Sequence, residues 1–345
     1  MKVSASDPVD LHGRSLGSLR ISVIDRCDLR CAYCMPEEDY TWLPAGDILT
    51  FGEIEQLVTA FARLGVRRVR LTGGEPLLRS NLVELVERLA GAGVLDDLAM
   101  TTNGTQLERL AAPLQRAGLR RVTVSLDSLK PGRFETLTRR AALDRVVAGL
   151  RAAAAAGFHQ VKVNAVVIRD FNDDELPDLL GLARELGVEI RFIEYMDVGG
   201  ATLWSLERVV TRQEILRRLQ DAFGEVLPEP ARGRAPAERF RLADGTRFGV
   251  ISSTTEPFCS QCDRSRITAD GMWYLCLYAR DGLNLRDYLR DGAGPDDLVE
   301  CIRRVWQGRS DRGAEMRLAE PRRGALYQID ELRQDPHREM HTRGG

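Results

Sequence analysis

Six of the chain's seven cysteines fall in two tight groups far apart in the sequence. Cys27, Cys31 and Cys34 lie in "CDLRCAYC", and Cys259, Cys262 and Cys276 in "FCSQCDRSRITADGMWYLCL". In a reducing compartment such grouping reads as metal ligation and not as a disulfide framework. A structural zinc site asks for four ligands, and none of the histidines (His12, His159, His337 and His341) lies near residues 27–34 to supply the fourth. Three thiolates from one loop can instead hold three irons of a [4Fe–4S] cube and leave the fourth iron open to another ligand. The second group again offers three thiolates, with the Asp270-Gly271 hairpin signal returning Cys276 toward Cys259 and Cys262. Cys301, alone in "ECIRRVW" at helical spacing from apolar neighbours, reads as a small core residue.

Strands must position the first group. Strand candidates are Leu19 to Ile24, Val66 to Leu71, Leu98 to Thr101, Arg121 to Leu126, Gln160 to Ile168 and Glu189 to Tyr195. Between them lie amphipathic stretches such as "FGEIEQLVTAFARLG" and "ALDRVVAGLRAAAAAG", each closed by a glycine suited to a helix C-cap. Repeated βα units imply a parallel sheet, open or curled into a barrel. Neighbours in a strand point to opposite faces. Leu19, Ile21 and Val23 alternate with Arg20 and Ser22, Val69 and Leu71 with Arg68 and Arg70, and Val122, Val124 and Leu126 with Thr123 and Ser125. Val161, Val163 and Ala165 alternate with Lys162 and Asn164, and Ile190 and Phe192 with Arg191. The apolar face must pack on helices, which puts Arg20, Arg68, Arg70, Lys162 and Arg191 together on the inner face. Lys162 stands out because the chain has only three lysines among 49 basic residues. Five cations left uncompensated there would cost several kcal/mol each, so something anionic should fill the space. Arginine's planar fork suits phosphate and lysine serves as a movable point charge, so a nucleoside triphosphate would meet the demand. The alternative is that these strands are edge-like and the charges solvated.

At 345 residues the chain suggests about two domains, divided here as 1–225 and 226–345. After Ala222 the pattern changes to "LPEPARGRAPAE", which reads as a linker or mobile loop, and then to β-like runs turning at Asp-Gly. Helical segments follow from about Leu285 to Gln307, and the tail "DPHREMHTRGG" has the composition of an unpacked end. A formal charge of −2 argues against general nucleic-acid binding. No apolar leader opens the sequence and no stretch approaches a membrane span, so the expected location is the cytoplasm.

The spacing Cys27-x3-Cys31-x2-Cys34, with Tyr33 before the last cysteine and the loop "LTGGEP" after the second strand, resembles the radical S-adenosylmethionine (SAM) enzymes. The second group, with its C-x2-C-x-R-x-R pattern, is similar to that of the GTP 3′,8-cyclase family of molybdenum-cofactor biosynthesis. The resemblance runs almost end to end, through "LRISVIDRCDLRCAYCMPEE", "RVRLTGGEPLLR", "MTTNG", "VSLDSL", "VKVNAVVIR", "RFIEYMDVG" and the terminal Gly344-Gly345. Leu29 stands where an aromatic is common and Asp263 where asparagine is common. The resemblance implies an α/β fold, an incomplete TIM-like (β/α)6 barrel closed by a smaller C-terminal domain that carries a second Fe–S cluster. It implies two [4Fe–4S] clusters and SAM as cofactors, with Cys27, Cys31, Cys34, Cys259, Cys262 and Cys276 as ligands. Tyr33, Gly74, Ser125 and Met196 are implied to contact SAM. Arg20, Arg68, Arg70, Thr101, Lys162, Arg191, Arg264, Ser265 and Arg266 are implied to serve GTP, with Arg264 and Arg266 close enough to influence the last proton or electron step.

The implied chemistry is hydrogen abstraction from the ribose 3′ carbon, attack of that carbon on guanine C8, and reduction to (8S)-3′,8-cyclo-7,8-dihydroguanosine 5′-triphosphate. The implied partners are a reductant such as flavodoxin or ferredoxin and a separate enzyme, cyclic pyranopterin monophosphate synthase, that takes the product. A homodimer is admitted; a membrane and nucleic acid are not. The terminal glycines are implied to reach back toward the active site. Two other readings compete: a radical SAM peptide-modifying enzyme with an auxiliary cluster, which would want more C-terminal cysteines, and a non-enzymatic iron or zinc protein binding nucleic acid through arginines.

Overall fold

The computed structural model describes residues 7–230 and 234–344. Six parallel strands carry the first part of the chain: β1 (Ser18–Ser22), β2 (Arg68–Thr72), β3 (Asp97–Thr102), β4 (Arg121–Ser125), β5 (Gln160–Val167) and β6 (Glu189–Glu194). Helices α1 (Phe51–Arg63), α2 (Leu82–Gly91), α3 (Leu107–Arg116), α4 (Pro131–Thr138), α5 (Leu143–Ala155) and α6 (Leu176–Glu185) lie between them, and α7 (Arg212–Phe223) follows β6. Local chemistry sets their ends. Thr50 and Glu53 form a reciprocal capping box at the start of α1, and Thr211 and Glu214 do the same for α7. Gly65 and Gly157, just beyond α1 and α5, take the positive φ of a helix stop.

The strands beyond α7 do not form a sheet of their own. These are β7 (Val226–Pro228), β8 (Glu238–Leu242), β9 (Arg247–Ile251), β10 (Arg264–Ile267), β11 (Met272–Tyr274) and β12 (Leu283–Asn284). One twelve-stranded sheet results, ordered β12-β11-β10-β1-β2-β3-β4-β5-β6-β9-β8-β7. β10 lies parallel to β1 and β9 parallel to β6, so the C-terminal region extends both edges of the same sheet. Asp244-Gly245 and Asp270-Gly271 each turn a hairpin, with Gly245 and Gly271 at positive φ. Helices α8 (Leu285–Arg290), α9 (Pro295–Gln307), α10 (Gly313–Leu318), α11 (Ile329–Gln334) and α12 (Met340–Arg343) complete the chain. Among the described residues no helix is long and apolar enough to cross a membrane.

The alternation in the strands separates core from cavity. Leu19, Ile21, Val69, Leu71, Val122, Val124, Val163, Ala165, Ile190 and Phe192 are each no more than 2% exposed and belong to one hydrophobic cluster with the helices. Each such side chain contributes about 1.5–3 kcal/mol of burial. The polar residues between them face the other way.

Two expectations need correction. The proline- and arginine-rich stretch read as a linker begins inside β7, and of the rest residues 231–233 lie outside the described ones. The tail is packed where its composition suggested a loose end: His341, Thr342 and Arg343 are buried. Arg343 stacks on Tyr274 at 4.3 Å and donates to the carbonyls of Leu277 at 2.9 Å and Ala279 at 2.6 Å, while Ser22 Oγ donates to Thr342 O at 2.8 Å. Specific partners for the guanidinium and the backbone outweigh the polar composition. Gly345 lies outside the described residues.

Candidate functional site

One cavity of about 630 Å³ is walled by the inner face of the sheet and by both cysteine groups. The loop after β1 carries the first group. It sits on the "TGGEP" turn after β2: Gly74 N donates to Ile24 O at 2.8 Å and Glu75 N to Arg26 O at 2.7 Å. A Cβ on Gly74 would lie 2.2 Å from Arg26 O, so only glycine lets the turn reach under the loop. Asn103 Nδ2 donates to Asp28 Oδ1 at 2.7 Å and reaches Cys27 Sγ at 3.8 Å. Tyr33 donates its hydroxyl to Asp127 Oδ2 at 2.7 Å, and the other oxygen of Asp127 accepts Val166 N at 2.7 Å.

Burial governs the titration of this region. It pushes the Cys27 thiol up to about 12, with Glu75 adding to the effect, and drives Cys31 and Cys34 well above the ordinary thiol value. Burial also raises Glu75 to about 7 although it accepts from Thr102 and Asn103, and raises Asp127 to about 6. Such thiols keep their protons near neutral pH unless a metal centre takes their place. Among the described residues no three His, Cys, Asp or Glu side chains converge on a single-ion position. A four-iron cube gives each thiolate its own iron, so its ligands need not converge on one point, and the donor set fits that group.

The cations line the same cavity as the two cysteine groups. Arg20, Arg68, Arg70, Arg121, Lys162 and Arg191 come from β1, β2, β4, β5 and β6, and Arg264 and Arg266 from β10. Part of this charge is neutralised. Arg121 pairs with Asp97 at 2.7 Å, Arg191 with Glu189 at 2.9 Å, and Arg68 with Asp263. Glu189 also takes Arg239 at 3.1 Å. Arg70 has only hydroxyls and a carbonyl among the described residues, donating to Thr101 Oγ1 at 3.1 Å and Thr123 Oγ1 at 3.2 Å. Lys162, buried, makes no ion pair among the described residues. Burial, aided by Arg191, pushes its ammonium down to about 7; burial, aided by neighbouring arginines, lowers Arg70 and Arg266 to about 10 and Arg20 well below its usual value. The demand for an anion therefore rests on Arg20, Arg70, Lys162 and Arg266 and not on all five strand cations equally.

The second cysteine group sits on the strands next to β1, at the same edge of the sheet. Cys259 and Cys262 bracket a tight turn before β10, and Cys276 follows β11. Burial raises Cys259. It opposes ionisation of Cys262 as well, yet Arg264 and Arg309 outweigh it and bring that thiol down to about 7. The tail closes over this end: Arg266 donates to Arg343 O at 3.2 Å and to Gly344 O, and Arg20 reaches Gly344 O at 3.4 Å. Gly344 has φ +69, and a Cβ there would lie 2.0 Å from Thr72 Oγ1.

All the cysteines assigned as ligands, Tyr33, Gly74, Ser125, Met196, Thr101 and the assigned basic residues line the cavity. Ser265 does not. It pairs in register with Leu19, so its side chain lies on the helix-facing side, and its buried hydroxyl has no hydrogen-bond partner among the described residues. Arg121 and Asp97 were missed, though both share the parity of residues already placed inside: Arg121 with Thr123, Asp97 with Thr101. Asn164 Oδ1, an orphaned buried acceptor, also belongs to a lining residue.

Comparison with known proteins agrees on one family. Residues 21–183 match the Radical SAM superfamily and residues 188–315 match Molybdenum Cofactor Synthesis C. GTP 3′,8-cyclase 3 of Mycobacterium bovis is 52% identical over 341 residues, 97% of this chain and 90% of the relative. GTP 3′,8-cyclase 1 of Mycobacterium tuberculosis is 53% identical over 336 residues, 96% and 94% of the two chains. The GTP 3′,8-cyclase of Aquifex aeolicus is 44% identical over 311 residues, 90% and 94%. Among solved structures, Streptococcus suis SuiB bound to S-adenosylmethionine superposes with a TM-score of 0.58 at 17% identity, covering 85% of this chain and 69% of that one. At that identity the likeness shows a shared α/β radical SAM fold.

Proposed function

The chain belongs to the GTP 3′,8-cyclase family of radical SAM enzymes, and on that premise we propose how its own residues divide the work. The strands β1–β6 form a partial (β/α)6 barrel in this reading, and residues 226–345 close it with the second cysteine group. Cys27, Cys31 and Cys34 hold one [4Fe–4S] cluster; Cys259, Cys262 and Cys276 hold another. When bound, SAM and the first cluster supply one-electron chemistry that abstracts hydrogen from a ribose carbon. Tyr33, Gly74, Ser125 and Met196 seat SAM beside that cluster, and Asp127 fixes the Tyr33 ring through its hydroxyl. Arg20, Arg70 and Lys162 bind the triphosphate, with Thr101 beside Arg70. Arg68 and Arg191, each already holding a carboxylate, add charge at the periphery. Arg264 and Arg266 face the guanine end, and the tail over Arg266 shields the site from water.

A single observation carries this reading: two cysteine triads share one cavity, which is also lined by Arg20, Arg70, Lys162 and Arg266, cations with no ion pair among the described residues. The peptide-modifying alternative has no support beyond a shared fold, since the relatives at 43–53% identity carry the cyclase name. The cytoplasm, a flavodoxin or ferredoxin reductant and hand-off to cyclic pyranopterin monophosphate synthase complete the proposal. The test is to reconstitute the chain anaerobically, supply SAM, dithionite and GTP, and look for 5′-deoxyadenosine and the cyclised nucleotide. About eight irons per chain are expected. SAM cleavage with no GTP-derived product would overturn the assignment of the cavity to GTP.

A further inference from the structure

The segment ahead of β1 buries a carboxylate between two arginines. Arg14 Nε donates to Asp10 Oδ2 at 2.6 Å, and Arg309 Nη1 reaches the same oxygen at 3.4 Å. The three side chains are 0–2% exposed. Two guanidinium groups share this one buried carboxylate, and the only other carboxylate in ion-pair range among the described residues is the partly exposed Asp311, 3.9 Å from Arg309 Nε, so the buried positive charge is only partly compensated.

Both arginines also donate to the second cysteine loop, though Arg14 Nη2 has no hydrogen-bond partner among the described residues and Arg309 Nε faces Asp311. Arg14 Nη1 donates to Cys259 O at 2.9 Å. Arg309 Nη1 donates to Cys262 O at 2.9 Å, and its Nη2 reaches Cys262 Sγ at 3.6 Å. Trp306 braces the pair: its ring stacks under the Arg309 guanidinium at 4.5 Å and its Nε1 donates to Arg14 O at 3.0 Å. The network thus joins the N-terminal segment, the cysteine turn and the end of α9, while the hydrogen-bond donors at the Cys27 sulfur are neutral amides, those of the Asn103 side chain and the Leu29 backbone. Three thiolates on a doubly positive cube would carry one net negative charge, which adds a buried anion to the partial compensation from Asp311. Charge and hydrogen bonds at the sulfurs are the levers by which a protein sets a cluster's potential.

We propose that Arg309, seated by Asp10 and Arg14, is a positioning residue for the second cysteine triad, and that this buried cationic pair holds the cluster there at a higher reduction potential than the first. The proposal rests on the two-cluster reading above. The test is a redox titration of the full-length, anaerobically reconstituted chain followed by electron paramagnetic resonance, with iron per chain and thermal unfolding measured alongside. Arg309→Gln is expected to shift the second cluster's transition to more negative potential and leave the first in place. Asp10→Asn, which removes the compensating negative charge, is expected to shift it the other way. Opposed signs are what an electrostatic role requires and general loosening does not give. Should Arg309→Gln fail to fold, Arg14→Gln supplies the negative shift. A second transition that ignores these substitutions, or moves in the same direction for both, overturns the proposal alone. One transition and about four irons in the unaltered chain overturn the two-cluster reading with it.

Discussion

The two cysteine loops offer the same donors in opposite surroundings. Near Cys27, Cys31 and Cys34 stand the carboxyls of Asp28, Glu75, Asp127 and Glu339, and they add to burial in holding the thiols protonated. Near Cys262 stand Arg264 and Arg309, which overcome burial and pull the thiol down to about 7. An added electron is repelled at the first site and attracted at the second. On the two-cluster proposal, equal ligand sets would therefore give unequal clusters: a strong reductant at the first triad and a milder centre at the second.

The largest effects should come from removing one ligand on each side. Cys27→Ala is expected to abolish SAM cleavage, whereas Cys259→Ala leaves some uncoupled cleavage and no cyclised nucleotide. Chromatography of 5′-deoxyadenosine and of the GTP product reads both. Product formation in the Cys259 variant at unchanged SAM turnover would erase the difference between the two loops.

In the cavity that the loops share, Lys162 tests what the cations are for. A charge-assisted contact to phosphate contributes about 1.5–3 kcal/mol. Lys162→Ala should weaken GTP binding about tenfold or more and leave guanosine binding nearly unchanged, by calorimetry on the reconstituted protein. Equal losses for both ligands would place Lys162 away from the triphosphate.

Much of the inner face is legible in the strand sequences. Strand alternation separated Leu19 from Arg20 and Val161 from Lys162 because one face must be apolar, and the inner set followed. Arg121 has the same parity as Thr123 and opens β4, so it joins the inner set once the strand is extended by one residue. The counter-ions were harder. Asp263 reaches Arg68 from 195 residues away, and no local pattern encodes that meeting. The pairing of β9 and β10 onto opposite edges of the sheet is likewise a long-range choice, which is why the region after α7 read as a separate unit. The fate of Ser265 was readable in principle, since Arg264 and Arg266 facing inward force the residue between them outward.

A gentler test keeps Lys162 and moves the pH. Its ammonium is held at about 7 in the free protein against an ordinary 10.5, by burial first and then by Arg191. Between those values the unfolded chain binds the extra proton, so Lys162 makes the free fold more stable as pH rises through that window and less so as pH falls. A bound triphosphate restores the charge, so GTP binding above pH 7 takes up a proton. Affinity is then expected to fall as pH rises above 7, by up to about tenfold per unit. Lys162→Arg, which stays charged, should flatten the profile. A wild-type profile already flat from pH 7 to 9 would mean that Lys162 is charged before GTP arrives.

The smallest effect should come from the seventh cysteine. Cys301 lies in α9, 5% exposed, and its thiol shares a hydrogen bond with Tyr288. Helix α9 packs on α1, away from the residues that line the cavity. Replacing it by alanine removes one sulfur atom from a packed position and one weak hydrogen bond, a loss of about 1 kcal/mol. Cys301→Ala should therefore lower the unfolding midpoint by a few degrees at most. Iron content, both reduction potentials and the yield of cyclised nucleotide should match those of the unaltered chain. A fall of about four irons per chain would bring Cys301 into one of the triads and end the three-against-three comparison on which the two loops were contrasted.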